Sequence, residues 1–537
     1  MKKIYFVLLA VMFFCGCYDD KGNYDYTTQE AFEISLEETY FERQIGGHLS
    51  IQPTIKTKIP ETDLTYQWEV HSLKPGDGYT LFNKFAEGKD LDWECVSTEL
   101  MPGIGQYTIR LHATQTSTQR NFYSEQITLS IAGVTGLLVL HGNDSQSDIG
   151  LLVAPEFRGT NVMDETIENY PTMYSQANGS KIQGKGKAIY HLFTSNMVYN
   201  GLENRCYVAA LTDQGVTLAN YSGLQRSADY LDLFYSPSIP HGKPQSFYVY
   251  DSYETIVDDG MLFFTTPSYA PLYIAPLDDD VQASLEEFEN GIYFSPFVLR
   301  GKSGATYTRM IMFNMIDRGF VGYSDGSMWP NRYTKLDATL DGTTSVPFNP
   351  AKMDADLLYM DHGGSTNHTM AVMQENDGKK LVVEMDFNTQ TLSQMPYAKY
   401  SDVSGLQDFD QAFSYAFGED QFHMCYYATS NAIYRYSVEK GKVPQSEKLM
   451  TIDGQVVDFK GAEITMMRLL KPNATTNDSW SYKYYNQMLV VGTYANGEGT
   501  LRAFIVDQSS GRVLSETSYS GFDRIYDVAV KGLYLLL

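Results

Sequence analysis

The chain has 537 residues, which is too long for one ordinary hydrophobic core and predicts at least two domains unless a repeat extends one of them. Its formal net charge is -25, from 40 basic and 65 acidic residues, and a surface this negative makes nucleic acid a poor partner. Aromatic residues make up 14% of the chain, and because no long segment has the 3.6-residue apolar period of a helix, we expect an almost entirely β body.

The N-terminus has the pattern of a secretory signal peptide. Two lysines precede an apolar stretch at residues 4–14 that is too short to span a bilayer, and Gly16 precedes Cys17. This region resembles a bacterial lipobox, which implies that residues 1–16 are a lipoprotein signal peptide and that Cys17 carries the lipid. Loss of the two lysines would leave 38 of the 40 basic residues against 65 acidic ones, a net charge of -27. An ordinary signal peptide cut at another bond is the alternative.

The segment after Cys17 resembles the opening of a known family. Residues 18–26 read YDDKGNYDY, which is similar to the start of PKD-like lipoproteins of Bacteroidetes. The acidic residues Asp19 and Asp20 also resemble the export signal that moves such lipoproteins to the outer leaflet of the outer membrane. The resemblance implies a lipid-anchored protein exposed on the cell surface, with residues 17–29 as a lipidated tether.

Residues 30–133 have the alternation of a small β-sandwich. Leu64, Tyr66, Trp68 and Val70 alternate on one face of a strand, which makes Trp68 the expected core tryptophan. Residues 105–132 alternate twice around a polar turn and predict a terminal hairpin. The pattern resembles a PKD or immunoglobulin-like domain, which implies a spacer or stalk. Direct glycan binding by this domain is the alternative.

Residues 134–537 repeat a unit of apolar strand, polar turn and return strand, which predicts a β-propeller. The candidate outer hairpins are at residues 209–221, 272–288, 382–395, 433–445 and 502–516. Two further units, near Leu152 and at residues 318–343, bring the number of units to seven. Eight blades also fit, because insertions obscure the boundaries.

The two ends of this second region predict that the ring closes. Residues 521–537 contain two further strands with no hairpin of their own. Pairing them with the apolar segment at residues 136–142 would complete one blade from both ends and cover unpaired strand edges. The alternative is a terminal strand of an open sandwich.

Neither the cysteines nor the motif most similar to a catalytic one predicts a disulfide, a zinc site or a nucleophile. Cys95, Cys206 and Cys425 are too few and too widely spaced for a disulfide framework or a zinc site, so we expect buried thiols. Residues 322–326, GYSDG, match the nucleophile elbow of serine hydrolases, but that elbow needs a following helix. The alternation around Asp325 instead predicts a hairpin turn, and no catalytic residue is predicted.

The candidate ligand-binding residues lie in polar and aromatic loops. Asp361, His362 and His368 belong to the loop DHGGSTNH, whose carboxylate and imidazole groups could serve as general acid, general base or metal ligand. Their spacing fits no metal motif, so we predict no metal site there, and a solvated loop between blades explains them equally well. Trp329 and Trp480 lie in aromatic loops that could stack on a sugar ring, with packing between blades as the alternative.

No cofactor is predicted, with one reservation for calcium. The acidic turns at residues 258–260 and 277–281 could supply oxygen ligands, but neither follows the twelve-residue alternating calcium loop. Acidic hairpin tips are common in a chain this negative.

These observations favour a non-catalytic surface lipoprotein whose propeller binds a glycan or peptide nutrient. The resemblance to PKD-like lipoproteins implies an accessory role beside a TonB-dependent transporter. A propeller-type polysaccharide lyase or glycoside hydrolase is the enzymatic alternative, since paired carboxylates from different blades are invisible in one sequence. A structural partner of an outer-membrane complex is the third.

Overall fold

The computed structural model describes two compact units. One ends at Ser130 and the second begins at Ile131, with Gly105 grouped with the second. Strands form nearly all regular structure, beside helix α1 (Met173–Asn178) and 3-10 turns at Glu61–Asp63, Pro155–Phe157, Tyr230–Leu233 and Phe409–Gln411. The described residues are 31–532 without 45–47, 74–79, 96–97, 99, 102–104, 133–134, 159–166, 194–205, 222, 235–237, 239, 251–252, 267–268, 275–284, 301–309, 325–331, 337–338, 341–343, 346, 364–367, 387–396, 420–421, 440–442 and 472–481.

The first unit is a set of antiparallel sheets. Its strands are β1 (Glu33–Ser35), β2 (Tyr40–Gln44), β3 (His48–Ile51), β4 (Thr54–Lys56), β5 (Leu64–Leu73), β6 (Thr80–Glu87), β7 (Leu91–Glu94), β8 (Gly105–Gln115), β9 (Arg120–Tyr123) and β10 (Ile127–Ala132). The main sheet has the order β2-β10-β8-β5-β6, with β9 paired to β8, and the smaller sheets are β3-β7 and β1-β4.

The core of this unit confirms the predicted sandwich. Trp68 and Val70 on β5 are fully buried, as are Ile109 and Leu111 on β8. Trp68 lies opposite Leu111 in the register of β5 and β8, and Val70 lies opposite Ile109. All four side chains lie on the same face of the sheet because alternate residues of a strand point to the same side. The tryptophan is therefore a central core residue.

The second unit contains a long series of antiparallel strands. They are β11 (Gly136–Gly142), β12 (Gln146–Val153), β13 (Glu168–Tyr170), β14 (Ile182–Gln183), β15 (Gly186–Phe193), β16 (Cys206–Thr212), β17 (Gly215–Asn220), β18 (Arg226–Ala228), β19 (Pro244–Tyr250), β20 (Tyr253–Asp258), β21 (Met261–Thr266), β22 (Tyr269–Ile274), β23 (Phe294–Arg300), β24 (Met310–Asn314), β25 (Gly319–Ser324), β26 (Arg332–Lys335), β27 (Thr339–Leu340), β28 (Thr344–Ser345), β29 (Ala355–His362), β30 (Thr369–Glu375), β31 (Lys380–Asp386), β32 (Tyr397–Asp402), β33 (Ser414–Phe417), β34 (Met424–Ala428), β35 (Ile433–Ser437), β36 (Glu447–Lys448), β37 (Glu463–Leu469), β38 (Met488–Ala495), β39 (Glu498–Val506), β40 (Val513–Phe522) and β41 (Arg524–Lys531).

These strands form a seven-bladed β-propeller within the described part of the chain. Blade 1 has the strand order β41-β11-β12-β13, with β14 paired to β12. Blades 2 to 7 are β15–β18, β19–β22, β23–β26, β29–β32, β33–β36 and β37–β40, each a four-stranded sheet in chain order. The seven blades favoured by the spacing of the sequence units are thus confirmed.

Blade 1 closes the ring as predicted. The last strand, β41, pairs antiparallel with β11, so that Val139 lies opposite Val528. One blade therefore takes its innermost strand from the end of the unit and its other strands from the beginning, and neither edge stays unpaired along this seam. The open-sandwich alternative is wrong.

Apolar side chains fill the space between every pair of neighbouring blades. One cluster joins blade 1 to blade 7, through Leu137 and Val490 among others, and six more join the remaining neighbours around the ring. The innermost strands contact one another in the order β41, β15, β19, β23, β29, β33 and β37, and β37 returns to β41. The seven innermost strands consequently surround a common axis.

Two of the five predicted outer hairpins are present, two lie partly outside the described residues, and one is wrong. The units at residues 209–221 and 502–516 are the pairs β16–β17 and β39–β40. The first strands of the units at 382–395 and 433–445 are β31 and β35, whereas residues 387–396 and 440–442 are not described. The return strand predicted within 272–288 is replaced at residues 285–288 by a turn that packs Leu285 and Phe288 against the core. These two apolar residues are three positions apart, which suits one helical turn and not a strand.

The expectation of buried thiols is confirmed for Cys95 and Cys425. Ser324 ends β25 and lies opposite Arg332 of β26 in the antiparallel register, while the predicted turn at Asp325 lies outside the described residues. Cys95 and Cys425 are free, buried thiols. Burial raises the pKa of Cys95 to about 11 and also raises that of Cys425, which makes both thiols poor nucleophiles.

Candidate functional site

Polar side chains from several blades meet at the propeller axis. Arg468 of blade 7 lies within electrostatic range of Tyr190 of blade 2 and of Tyr359 and Asp361 of blade 5. Tyr248 of blade 3 is likewise within range of Asp361 and Arg468. These blades are not all neighbours, so the groups can approach one another only near the centre of the ring. The set is termed the axial cluster and comprises Tyr190, Tyr248, Tyr359, Asp361, Glu419, Arg468, Lys471 and Asp527.

Lys471 joins three blades in this cluster. It follows β37 of blade 7, and its Nζ lies 2.7 Å from Asp361 Oδ2 on β29 and 3.2 Å from Glu419 Oε1 after β33. The same Nζ donates to the backbone carbonyls of His362, at 2.7 Å, and Phe417, at 3.0 Å. Burial lowers the pKa of Lys471, but attraction by the two carboxylates outweighs it and the net shift is upward. The ammonium therefore stays charged and ties blades 5, 6 and 7 together.

Arg468 has a different environment from Lys471. Its Nη2 lies 3.0 Å from Asp527 Oδ1, and its Nη1 donates to the carbonyl of Val528 at 2.8 Å. The other oxygen of Asp527 accepts from the backbone N–H of Ile189 at 3.0 Å. The side chain of Arg468 is nevertheless 41% exposed, against 8% for Asp527 and for Lys471. An arginine side chain on an innermost strand is thus partly exposed.

Three tyrosines complete the cluster as neutral groups. Burial raises the pKa of Tyr190 to about 12 and raises those of Tyr248 and Tyr359, and the charge of Asp361 adds to the shift of the latter two. The hydroxyl of Tyr359 donates to Asp361 Oδ2 at 3.1 Å. All three residues are of intermediate burial. They offer flat apolar faces together with hydroxyls that can donate and accept.

The structure brings Asp361 and His362 into this cluster. Both end β29, and Asp361 Oδ1 accepts from the backbone N–H of His362 at 2.7 Å. The backbone carbonyl of His362 accepts from Lys471, while both ring nitrogens are buried. Burial lowers the pKa of His362, which favours the neutral imidazole. Asp361 is the predicted residue most directly involved, since it contacts both Lys471 and Tyr359.

The ring of His368 has partners inside blade 5. Its Nδ1 lies 2.9 Å from Glu384 Oε1 and its Nε2 lies 3.7 Å from Asp386 Oδ2, both on β31. The side chain of His368 is 11% exposed. The predicted group of Asp361, His362 and His368 is therefore divided between the axis and the second and third strands of the blade.

The remaining predicted positions are outside the described residues or are engaged in local bonds. Cys17, Trp329, Trp480 and the acidic turn 277–281 lie outside the described residues. In the turn 258–260, Asp258 accepts from the hydroxyl of Tyr230 at 2.7 Å and from backbone N–H groups of residues 241–243, and Asp259 pairs with His241 and Lys243. Calcium binding stays a prediction.

The described residues contain neither a metal-binding group nor a membrane-spanning helix. Among them, no group of three His, Cys, Asp or Glu side chains is placed to hold a metal ion. No helix in this part of the chain is long and apolar enough to cross a membrane.

Sequence reasoning missed most of the axial cluster. Arg468, Lys471 and Asp527 lie in or beside the segments EITMMRLLK and RIYDVAVK, which read as ordinary apolar strands. A usable signal was present, because each segment places one charged residue inside an apolar run, as LLYMDH does with Asp361. A charged residue in the innermost strand of a propeller blade indicates either a polar group at the propeller axis or a structural ion pair.

One family model matches the N-terminal part of the chain. A family model described as the PKD-like family matches residues 17–186, which includes the YDDKGNYDY segment, the first unit and the beginning of the propeller. No curated protein matches the chain.

Solved structures similar to this chain have low sequence identity. A DUF4784 family protein from Bacteroides caccae is 8% identical, with 93% of this chain and 98% of that chain covered and a TM-score of 0.24. Dihydro-heme d1 dehydrogenase NirN is 12% identical, with 74% and 75% covered and a TM-score of 0.35. PorZ, a surface component of the type-IX secretion system of Porphyromonas gingivalis, is 8% identical, with 79% and 46% covered and a TM-score of 0.29.

Likenesses at this level carry no argument about function. The PKD-like match and the seven-bladed propeller together suggest an extracellular accessory or binding protein.

Proposed function

We propose that the chain is a non-catalytic, lipid-anchored protein of the cell surface whose propeller binds an extracellular ligand at the axial cluster. The observation that carries this proposal is Arg468, whose side chain is 41% exposed at the meeting point of several blades. A purely structural ion pair at such a point would be expected to bury its cation, as the pair of Lys471 does with a side chain 8% exposed. Partly exposed tyrosines beside a partly exposed arginine side chain offer hydrogen-bonding groups and apolar surface to a ligand.

The anchor and the location rest on the N-terminal pattern. Lipid on Cys17 would hold the protein in the outer membrane, and the acidic residues that follow would direct it to the outer leaflet. The sandwich would act as a spacer, and a TonB-dependent transporter would receive the ligand, a glycan or peptide nutrient. Binding next to a transporter would raise the local ligand concentration and so favour uptake.

Ligand binding is tested with the full-length protein purified in detergent. Affinity electrophoresis and calorimetry against polysaccharides and peptide pools are compared for the wild type, Arg468→Gln and Arg226→Gln. Arg226 is a matched control because its side chain is 64% exposed and pairs with Asp229, three residues away. Saturable binding that Arg468→Gln weakens and Arg226→Gln preserves supports the proposal. Equal binding by both variants contradicts the assignment to the axis.

The same mixtures separate the alternative functions. Product formation from a polysaccharide would establish the lyase or hydrolase alternative and overturn the non-catalytic proposal. Co-purification with a transporter, without any ligand bound by the isolated protein, would favour a structural role.

The anchor has its own test. In a host that processes lipoproteins, mass spectrometry of the wild type is expected to show diacylglycerol on the N-terminal cysteine, and Cys17→Ser is expected to lack it. Protease added to intact cells should degrade the wild-type protein if it lies on the surface. An unmodified mature N-terminus at another residue would overturn the lipid anchor.

A further inference from the structure

The charges of the axial cluster restrict what can bind there. Two cations, Arg468 and Lys471, face three carboxylates, those of Asp361, Glu419 and Asp527, so the cluster carries a formal charge of -1. Lys471 is closed off, with its side chain only 8% exposed between Asp361 and Glu419. The whole chain, the cluster included, has a formal net charge of -25. A polyanion would meet repulsion from the surroundings and, among the described residues of the cluster, a single accessible cation.

The hydrogen-bonding groups of the cluster are mixed. A guanidinium has five N–H donors, and among the described residues Arg468 uses two of them, on Asp527 and Val528, which leaves three. The carboxylate of Asp361 accepts from Lys471, Tyr359 and the backbone of His362, and its side chain is 19% exposed. Tyrosine hydroxyls both donate and accept. Ligand hydroxyls, which also do both, are matched by this set.

Aromatic rings supply the apolar part of the site. Tyr359 packs against Phe297 at 5.5 Å between ring centroids, and Tyr190 packs against Phe247 at 5.6 Å. These contacts hold the two rings in place while both side chains stay partly exposed. Preorganised rings bind with little loss of side-chain entropy, and their faces suit the C–H faces of a pyranose.

We propose that the ligand of the axial cluster is a neutral saccharide, which rests on the proposed function and specifies its ligand class. Arg468 and Asp361 hydrogen-bond the hydroxyls of the sugar, and tyrosine rings contact its apolar face. Acidic polysaccharides and peptides are disfavoured by the charge balance and are the competing outcomes of the test.

The test uses the full-length protein and three sets of probes: neutral glucan, mannan and xylan oligosaccharides, the acidic polymers polygalacturonate and hyaluronan, and a pool of casein peptides. Affinities are measured by calorimetry from about 50 to about 500 mM NaCl. We expect saturable binding of a neutral probe whose Kd changes by less than about twofold over this range, because no net charge is neutralised. Tyr248→Phe, which keeps the ring, is expected to weaken binding about fivefold through loss of one hydrogen bond. Arg468→Gln is expected to weaken it by at least about tenfold, and Arg226→Gln to leave it unchanged.

Each result decides between the two proposals. Binding of an acidic polymer or a peptide that is lost in Arg468→Gln overturns the saccharide inference and leaves the proposed function standing. Binding of a neutral probe that neither Tyr248→Phe nor Arg468→Gln alters overturns the axial site itself. Binding of no probe in any set overturns both.

Discussion

Lys471 offers the sharpest test of how the propeller is held together. The change Lys471→Met keeps the length of the side chain and removes its ammonium, which lies 2.7 Å from Asp361 and 3.2 Å from Glu419. The two carboxylates, 19% and 15% exposed, would be left close together without a cation between them. Removing one partner of a buried ion pair costs about 3–5 kcal/mol of folding free energy, and we expect a loss in that range.

The assay is urea unfolding followed by far-UV circular dichroism, with the midpoint of the propeller transition as the readout. Lys379→Met is the matched control, because Lys379 Nζ lies 3.1 Å from Asp402 and the two side chains are 34% and 52% exposed. An exposed pair of this kind contributes about 0–1 kcal/mol. The triple variant Lys471→Met, Asp361→Asn, Glu419→Gln should recover most of the loss, since it removes the unpaired charges. Equal losses for Lys471→Met and Lys379→Met would refute the role of Lys471 in joining the blades.

Three further predictions follow from buried groups. Burial, with a contribution from Lys531, lowers the pKa of His191 to about 3 from 6.5, so its contribution to stability is present above pH 6.5 and is lost as the pH falls toward 3. At about pH 5 the loss of folding free energy amounts to about 2 kcal/mol. The urea midpoints at about pH 7.5 and about pH 5 should therefore differ less for His191→Gln than for the wild type or for the exposed control His241→Gln. An unchanged difference would count against a buried neutral His191. Ile525→Ala on the closing strand should lower the folding free energy by about 2–5 kcal/mol because Ile525 is fully buried, whereas Leu514→Ala, at a residue 52% exposed, should lower it by less than about 0.5 kcal/mol. Similar urea midpoints for the two variants would show that the side chains between β41 and β11 are not packed as described. Cys95 and Cys425 should resist iodoacetamide in the folded protein and react after unfolding, as judged by peptide mass mapping, because burial raises the pKa of both thiols; rapid labelling of either in the native state would contradict its burial.

Local alternation was enough to predict much of the fold. Trp68 is the core tryptophan that alternation predicts, because period-two alternation is a property of short segments, and the structure buries it together with Ile109 and Leu111 of the predicted terminal hairpin. The closure of the ring was also readable, because residues 521–537 contain strands without a hairpin of their own, the apolar segment 136–142 begins the propeller region, and strand edges favour pairing. Periodicity was read wrongly at Leu285 and Phe288, where the three-residue spacing of a helical turn was taken for a strand.

The axial cluster depended on tertiary structure. Tyr190 and Asp527 are separated by more than half of the chain, and they approach the same guanidinium only because seven blades close into a ring. Asp361 was singled out in the sequence as part of a polar loop, but its partners Lys471 and Glu419 come from two other blades, and no spacing in the sequence relates them. The sequence by itself determined which residues form strands and which faces are apolar, because both follow from local patterns. The number of blades in the closed ring and the register of the closing strand decided which charges meet at the axis, because side chains distant in sequence interact only after the ring has formed.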